Sequence, residues 1–284
     1  MKELEFILSD GLKLAAHTYG SPDSPPVILS HGGGQTRHSW GATAQMLADQ
    51  GWYAVAYDHR GHGNSSWSPD GDYHIERFAE DLGELAAQLT SPPVVVGASL
   101  GGISAMLAEG EYAKNTFRAI VLVDIVPRMN QGGAARIVEF MGTHMNDGFA
   151  TLEEAADVIA HYTGRPRRAD VQGLRKNLRK GEDGRFRWHW DPEFVNQRQS
   201  PEKFSDPDRL VKAVQKIELP MLLVRGQLSD LVTQEAAEDF LRLAPHAHYV
   251  DVENAQHMVA GDKNDIFSHE VQKFMAGLES PKDQ

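Results

Sequence analysis

The chain has no cysteine among its 284 residues, which excludes disulfide bonds, thiolate-ligated zinc and a cysteine nucleophile. It has no apolar run near the roughly 20 residues that a membrane-spanning helix requires. Met1-Lys2-Glu3-Leu4-Glu5-Phe6 offers no basic stretch leading into an apolar one, so nothing here directs secretion and a cytoplasmic protein is the expectation. Positive charge is in deficit, with 28 Lys and Arg against 40 Asp and Glu and a formal charge of −12. That balance repels phosphate backbones and anionic membrane surfaces, which argues against nucleic acid and membrane as partners. What remains, 41% hydrophobic and 24% charged residues with 26 Gly and 14 Pro, is the make-up of a folded globular chain.

The hydrophobic pattern alternates between two periods. Leu4 to Leu8 reads as a strand, Asp10-Gly11 as a hairpin turn, and Lys13 to Tyr19 as a second, antiparallel strand. Short continuous apolar runs follow at Pro26–Ser30, Tyr53–Tyr57, Pro93–Val96, Ala119–Val123 and Pro220–Val224, with a weaker one at His248–Val252. Runs of this kind suit strands buried on both faces. Between them, Trp40–Gln50, Ile75–Leu89, Gly102–Tyr112, Glu235–Leu243 and Asp265–Leu278 carry helical spacing. The expected fold is α/β, a mostly parallel central sheet with helices on both faces.

From about Pro127 to Ile217 the strand runs stop. Helix-like patches, a basic cluster (Arg165, Arg167, Arg168, Arg175, Lys176, Arg179, Lys180) and the aromatic stretch Phe186-Arg187-Trp188-His189-Trp190-Asp191-Pro192 take their place. The expected organisation is a core of residues 1–126 and 218–284 with a helical lid, 127–217, inserted in it. The basic cluster reads as a solvated face.

After the strand Val94-Val95-Val96 stands Gly97-Ala98-Ser99-Leu100-Gly101, followed at once by helical spacing. A G-x-S-x-G turn between strand and helix thrusts the Ser99 hydroxyl clear of the backbone, and the flanking small residues let strand and helix approach. His31-Gly32-Gly33-Gly34 follows the third strand and Asp58-His59-Arg60-Gly61-His62-Gly63-Asn64-Ser65 the fourth. With these motifs in this order, the chain resembles the α/β-hydrolases over nearly all its length outside the lid.

The resemblance implies that Ser99 is a nucleophile, that the N–H groups of Gly33 and Leu100 form an oxyanion hole, and that the 58–65 loop braces the site. It also implies that His257, in Asn254-Ala255-Gln256-His257-Met258, is the general base. His31 is expected to be structural, and His59, His62 and His189 to be polar surface or lid residues. The acid has two candidates. The family's G-x-x-D pattern falls on Gly226-Gln227-Leu228-Ser229, so Ser229 occupies the acid's place with Asp230 one residue late, while Asp124 ends the strand Ile120–Val123.

A serine esterase or lactonase acting on a small substrate with an apolar part is the implied activity, needing no metal or other cofactor. Trp188 and Trp190 are the candidate substrate contacts, with Phe186, Met129, Met141 and Met145 as further apolar lining, against the commoner reading of such a stripe as packing within the lid. Perhydrolase or haloperoxidase-like acyl transfer and a ligand-binding receptor with little turnover are the alternatives. Ser99 in the turn argues against relatives that attack with a carboxylate, the epoxide hydrolases and haloalkane dehalogenases.

Overall fold

The computed structural model describes residues 1–164, 166–167, 169–197, 206–253, 255 and 265–279. Asp10-Gly11 reverses the chain as its sequence predicts, with Gly11 at φ +85° and the Leu8 N–H donating to the Leu12 carbonyl. The turn joins β1 (Lys2–Ile7) to β2 (Lys13–Tyr19). Then come β3 (Pro26–Ser30), α1 (Gly41–Asp49), β4 (Tyr53–Tyr57), α2 (Ile75–Ala87), β5 (Val94–Ala98), α3 (Leu100–Leu107) and β6 (Ala119–Val123). An insertion follows, holding α4 (Gln131–Gly142), α5 (Leu152–Thr163), β7 (Leu178–Lys180), β8 (Phe186–Trp188), α6 (Pro192–Asn196) and α7 (Pro207–Val214). The chain then returns through β9 (Met221–Gly226), α8 (Gln234–Leu243), β10 (His248–Val252) and α9 (Asp265–Glu279).

Eight strands form one sheet in the order β1-β2-β4-β3-β5-β6-β9-β10. β2 pairs antiparallel with β1 and β4, and every other neighbouring pair is parallel. The continuous apolar runs are explained by burial on both faces. Val27, Leu29, Val94, Val96, Val121 and Val123 pack toward Trp40, Leu47, Phe267 and Met275. Ile28, Val95, Ile120 and Leu122 pack toward Phe78, Leu82, Ile103 and Phe240 on the other side. Because β3 lies between β4 and β5, the crossover from β3 to β4 runs to one side and the next, from β4 to β5, returns to the other, which makes the carboxyl ends of β3 and β5 the topological switch point, the favoured place for a ligand in such sheets.

The insertion is mostly helical, as expected, and also carries a small hairpin that the sequence did not announce. Phe186-Arg187-Trp188 is a strand, β8, paired antiparallel with β7. Its helices begin where capping chemistry predicts: the Asn130, Thr151, Asp191 and Asp206 side chains each accept a backbone N–H of the following turn, and Pro192 and Pro207 open α6 and α7. The last of them, α7, belongs to the layer over the sheet. Leu210 and Val214 are buried in its core, and a Cβ on Gly110 would come within 2.3 Å of the Ala213 carbonyl oxygen. No described helix is long and apolar enough to cross a membrane.

The loop after β4 is fastened from below by a buried ion pair. Arg60 donates to both oxygens of Asp81 on α2, at 2.7 and 2.5 Å, and also reaches Asp10. Burial pushes the Asp81 carboxyl up to about 6 against the opposing pull of Arg60. Arg60→Met would leave that carboxylate buried without its guanidinium, a loss expected to cost about 3–5 kcal/mol in urea unfolding. Arg60→Met combined with Asp81→Leu is expected to restore most of the stability, since both charges are then gone.

Candidate active site

Ser99 stands at the junction of β5 and α3 with φ 47° and ψ −112°. A non-glycine residue held there stores about 1–3 kcal/mol of strain, which persists only where the surroundings over-determine it. Two close approaches do so. A Cβ on Gly97 would lie 2.6 Å from the Gly101 carbonyl carbon, and one on Gly101 would lie 2.4 Å from the Ser30 carbonyl oxygen. Ser99 is the N-cap of α3, yet its side chain makes no capping hydrogen bond, so the hydroxyl is not consumed by the helix. The Leu100 N–H lies in the first turn of α3, where no intrahelical acceptor exists.

The two candidate acids have different surroundings. Asp124, at the carboxyl end of β6 beside β5, is 0% exposed and takes φ 50°. Its Oδ1 accepts the Gly226 N–H at 3.0 Å and its Oδ2 accepts the Ser229 hydroxyl at 2.5 Å. Ser229 Oγ in turn accepts the N–H groups of Leu231 and Val232. The Asp230 side chain is 50% exposed and pairs with Arg136 of α4 at the surface. His257 lies outside the described residues, as do Arg165 and Arg168.

The glycine loop after β3 passes directly beside the serine, since a Cβ on Gly32 would be 3.3 Å from Ser99 Cβ. Among the described residues, neither the Gly33 nor the Leu100 N–H has an acceptor. Histidines surround this loop, and His31, His59, His62 and His189 are all buried: His189 is carried by the insertion, within the expectation of surface or lid residues, whereas His59 and His62 belong to the buried loop after β4 and correct it. His31 Nδ1 bonds the Gly32 carbonyl at 2.7 Å, and His31 Nε2 accepts the His59 N–H at 3.1 Å. Burial keeps His31 and His62 below the usual imidazole range and, with His31 nearby, takes His189 down to about 3. Among the described residues no group of three or more His, Asp or Glu is placed to hold a metal ion.

Trp188 and Trp190 sit inside the insertion, 5% and 2% exposed. Their rings stack at 4.8 Å, Trp188 meets Phe149 edge-on, and the Trp188 indole N–H donates to the Thr143 carbonyl at 2.8 Å. These contacts make them packing residues of the insertion. Among the described residues, the side chains nearest Gly33 are Phe194 of α6 and Met141 of α4, within 3.4 and 3.9 Å of a Cβ built there. Phe194 was missed in the sequence, although Asp191-Pro192 marks the helix start that aims it.

A family model described as the alpha/beta hydrolase fold matches residues 25–263. An esterase of Mycobacterium tuberculosis, Rv0045c, is 32% identical over 250 residues, 84% of this chain and 79% of that protein. A solved structure of that esterase superposes with a TM-score of 0.75 at 27% identity, covering 97% of this chain and 92% of the other. A 3-hydroxybutyrate-oligomer hydrolase of Cupriavidus necator is 27% identical over 258 residues, 86% of this chain and 87% of its own. A bifunctional esterase/perhydrolase of Acinetobacter calcoaceticus is 26% identical over 238 residues, covering 80% and 82%.

The depressed imidazoles have a consequence for stability. His189 faces His31, His62, Asp58 and Arg179. Unfolded, its ring takes a proton near pH 6.5; folded, only near 3. Its contribution is therefore complete above pH 6.5 and is lost as pH falls toward 3. Between pH 6.5 and 4.5, His189→Gln is expected to lose about 2–3 kcal/mol less than the unmodified protein in urea unfolding. Equal losses would contradict a buried neutral ring.

Proposed function

The chain belongs to the α/β-hydrolase fold family, and on that premise we propose that it is a serine hydrolase cleaving a small carboxylic ester or lactone through an acyl-enzyme on Ser99. The observation that carries the proposal is the pairing of Ser99, strained at the end of β5, with the fully buried carboxylate of Asp124 at the end of the neighbouring β6. The names of the mycobacterial esterase and the 3-hydroxybutyrate-oligomer hydrolase support ester chemistry.

In this mechanism the Ser99 hydroxyl attacks the carbonyl carbon and its proton passes to His257. The family match extends through residue 263 and so includes that position. Asp124 holds the imidazole in the right tautomer and stabilises its charge, with the Gly226 N–H and Ser229 hydroxyl holding the carboxylate. The N–H groups of Gly33 and Leu100 receive the oxyanion, at the positive end of α3. His257 returns the proton to the leaving alcohol. Water, deprotonated by the same ring, then attacks the acyl-enzyme and releases the acid. Met141 and Phe194, against the glycine loop, suit an apolar acyl group. Acyl transfer to hydrogen peroxide is a second reading, favoured by the Acinetobacter relative; it shares the acyl-enzyme and differs only in the acceptor.

A fluorophosphonate probe is expected to add once, at Ser99, by intact mass and peptide mapping. Ser99→Ala is expected to take no label and to lose at least about 10³-fold in p-nitrophenyl acetate turnover. A folded protein that takes no label, or labels equally as Ser99→Ala, would overturn the assignment and favour a binding role.

A further inference from the structure

His189 is carried by the insertion, yet both of its ring nitrogens are spent on the core. The turn that holds it is anchored on the loop after β4. The Asp191 N–H donates to the Gly61 carbonyl at 2.8 Å, the Arg179 guanidinium donates to the Gly63 carbonyl, and the Gly63 N–H donates to His189 Nδ1 at 2.8 Å. An Nδ1 that accepts leaves the proton on Nε2, and that nitrogen donates to the Gly34 carbonyl at 3.3 Å.

On the other side of the same residue, the Gly34 N–H donates to His62 Nε2 at 3.1 Å. His62 therefore carries its proton on Nδ1, which donates to the Arg60 carbonyl at 3.0 Å. Two neutral imidazoles of opposite tautomer thus hold the N–H and C=O of Gly34.

The consequence reaches Gly33 through the chain of peptides. The plane containing the Gly34 carbonyl also contains the Gln35 N–H, which donates to the Gly32 carbonyl at 3.1 Å. The Gly32 carbonyl shares its own plane with the Gly33 N–H. A peptide group is rigid, so fixing Gly34 C=O aims Gln35 N–H, which shares the Gly32 C=O with His31 Nδ1 at 2.7 Å and helps to set the direction of Gly33 N–H. Gly34 has φ +74° and lies within 3.4 Å of Met141 atoms where a Cβ would stand, so its side offers no group of its own to hold the loop.

We propose that His189 is a positioning residue: its ring clamps the Gly34–Gln35 peptide from the insertion and so aims the Gly33 N–H at the developing oxyanion. This rests on the reading of Ser99 as the nucleophile. It also assigns the 177–191 segment a part in the site that a lid opening as one body would not have.

The two nitrogens can be separated by substitution. Asn places its amide oxygen near the position of Nδ1, keeping the Gly63 contact and losing the Gly34 donor. Gln places its amide nitrogen near Nε2 and keeps the Gly34 donor. With p-nitrophenyl acetate, His189→Asn is expected to lower kcat about 10- to 100-fold with KM changed less than about threefold, as displacement of one oxyanion donor predicts. His189→Gln is expected to recover to within about threefold of the unmodified kcat. Hydrogen–deuterium exchange of the 31–38 segment is expected to quicken in the Asn variant and not in the Gln variant. Equal kcat in Asn and unmodified protein, equal losses in both variants, or exchange that does not separate them would each overturn the proposal while leaving the hydrolase reading intact. A protein that takes no fluorophosphonate label and turns over no ester but shows the exchange difference would refute the hydrolase reading and, with it, the positioning role, leaving a clamp on the loop without an oxyanion to serve.

Discussion

The carboxylate of Asp124 is the constraint around which the carboxyl end of the sheet is arranged. A buried carboxylate without hydrogen-bond donors costs several kcal/mol, so the loop after β9 must come to it, and the Gly226 N–H and Ser229 hydroxyl do. Ser229 passes the order onward by accepting from Leu231 and Val232. The Leu231 carbonyl accepts the Asn130 N–H at 2.8 Å, and Asn130 caps α4. The entry to the insertion is thereby set by the same carboxylate. A Cβ on Gly133 would meet the Asp230 carbonyl oxygen at 2.6 Å, so α4 begins hard against that loop.

Strain and neutrality complete the arrangement. Ser99 and Asp124 both take positive φ at the ends of adjacent strands, and the parallel ladder between β5 and β6 holds them in register. Around the glycine loop, burial favours uncharged imidazoles. Under the proposed mechanism, a site lined by neutral rings and fixed peptide dipoles would stabilise a developing oxyanion without having to reorganise water.

The sequence made the sheet readable because strands buried on both faces appear as unbroken apolar runs, and the strand–turn–helix setting of Gly97-Ala98-Ser99-Leu100-Gly101 marked the serine. It did not separate Asp124 from Asp230. What the structure adds is which carboxylate the 226–229 loop covers, a tertiary fact that shows only once the Ser229 hydroxyl is seen to donate to Asp124. The β7–β8 hairpin escaped because three-residue strands are too short to show a period. For Trp188 and Trp190 the sequence left pocket lining and lid packing both open, since an aromatic cluster looks the same whether it faces a cavity or its own neighbours. The burial of His62, and the engagement of both ring nitrogens of His62 and His189, escaped for a related reason: sequence carries no sign that backbone groups meet both nitrogens of a ring.

The measurement that tests the central claim most directly compares kcat/KM for ester hydrolysis in Asp124→Asn and Asp230→Asn. If Asp124 orients and stabilises the base, its Asn variant falls about 10³- to 10⁴-fold. Asp230→Asn, which breaks only an exposed ion pair, stays within about threefold. The reverse ranking, with Asp230→Asn inactive and Asp124→Asn near the unmodified rate, would contradict the account.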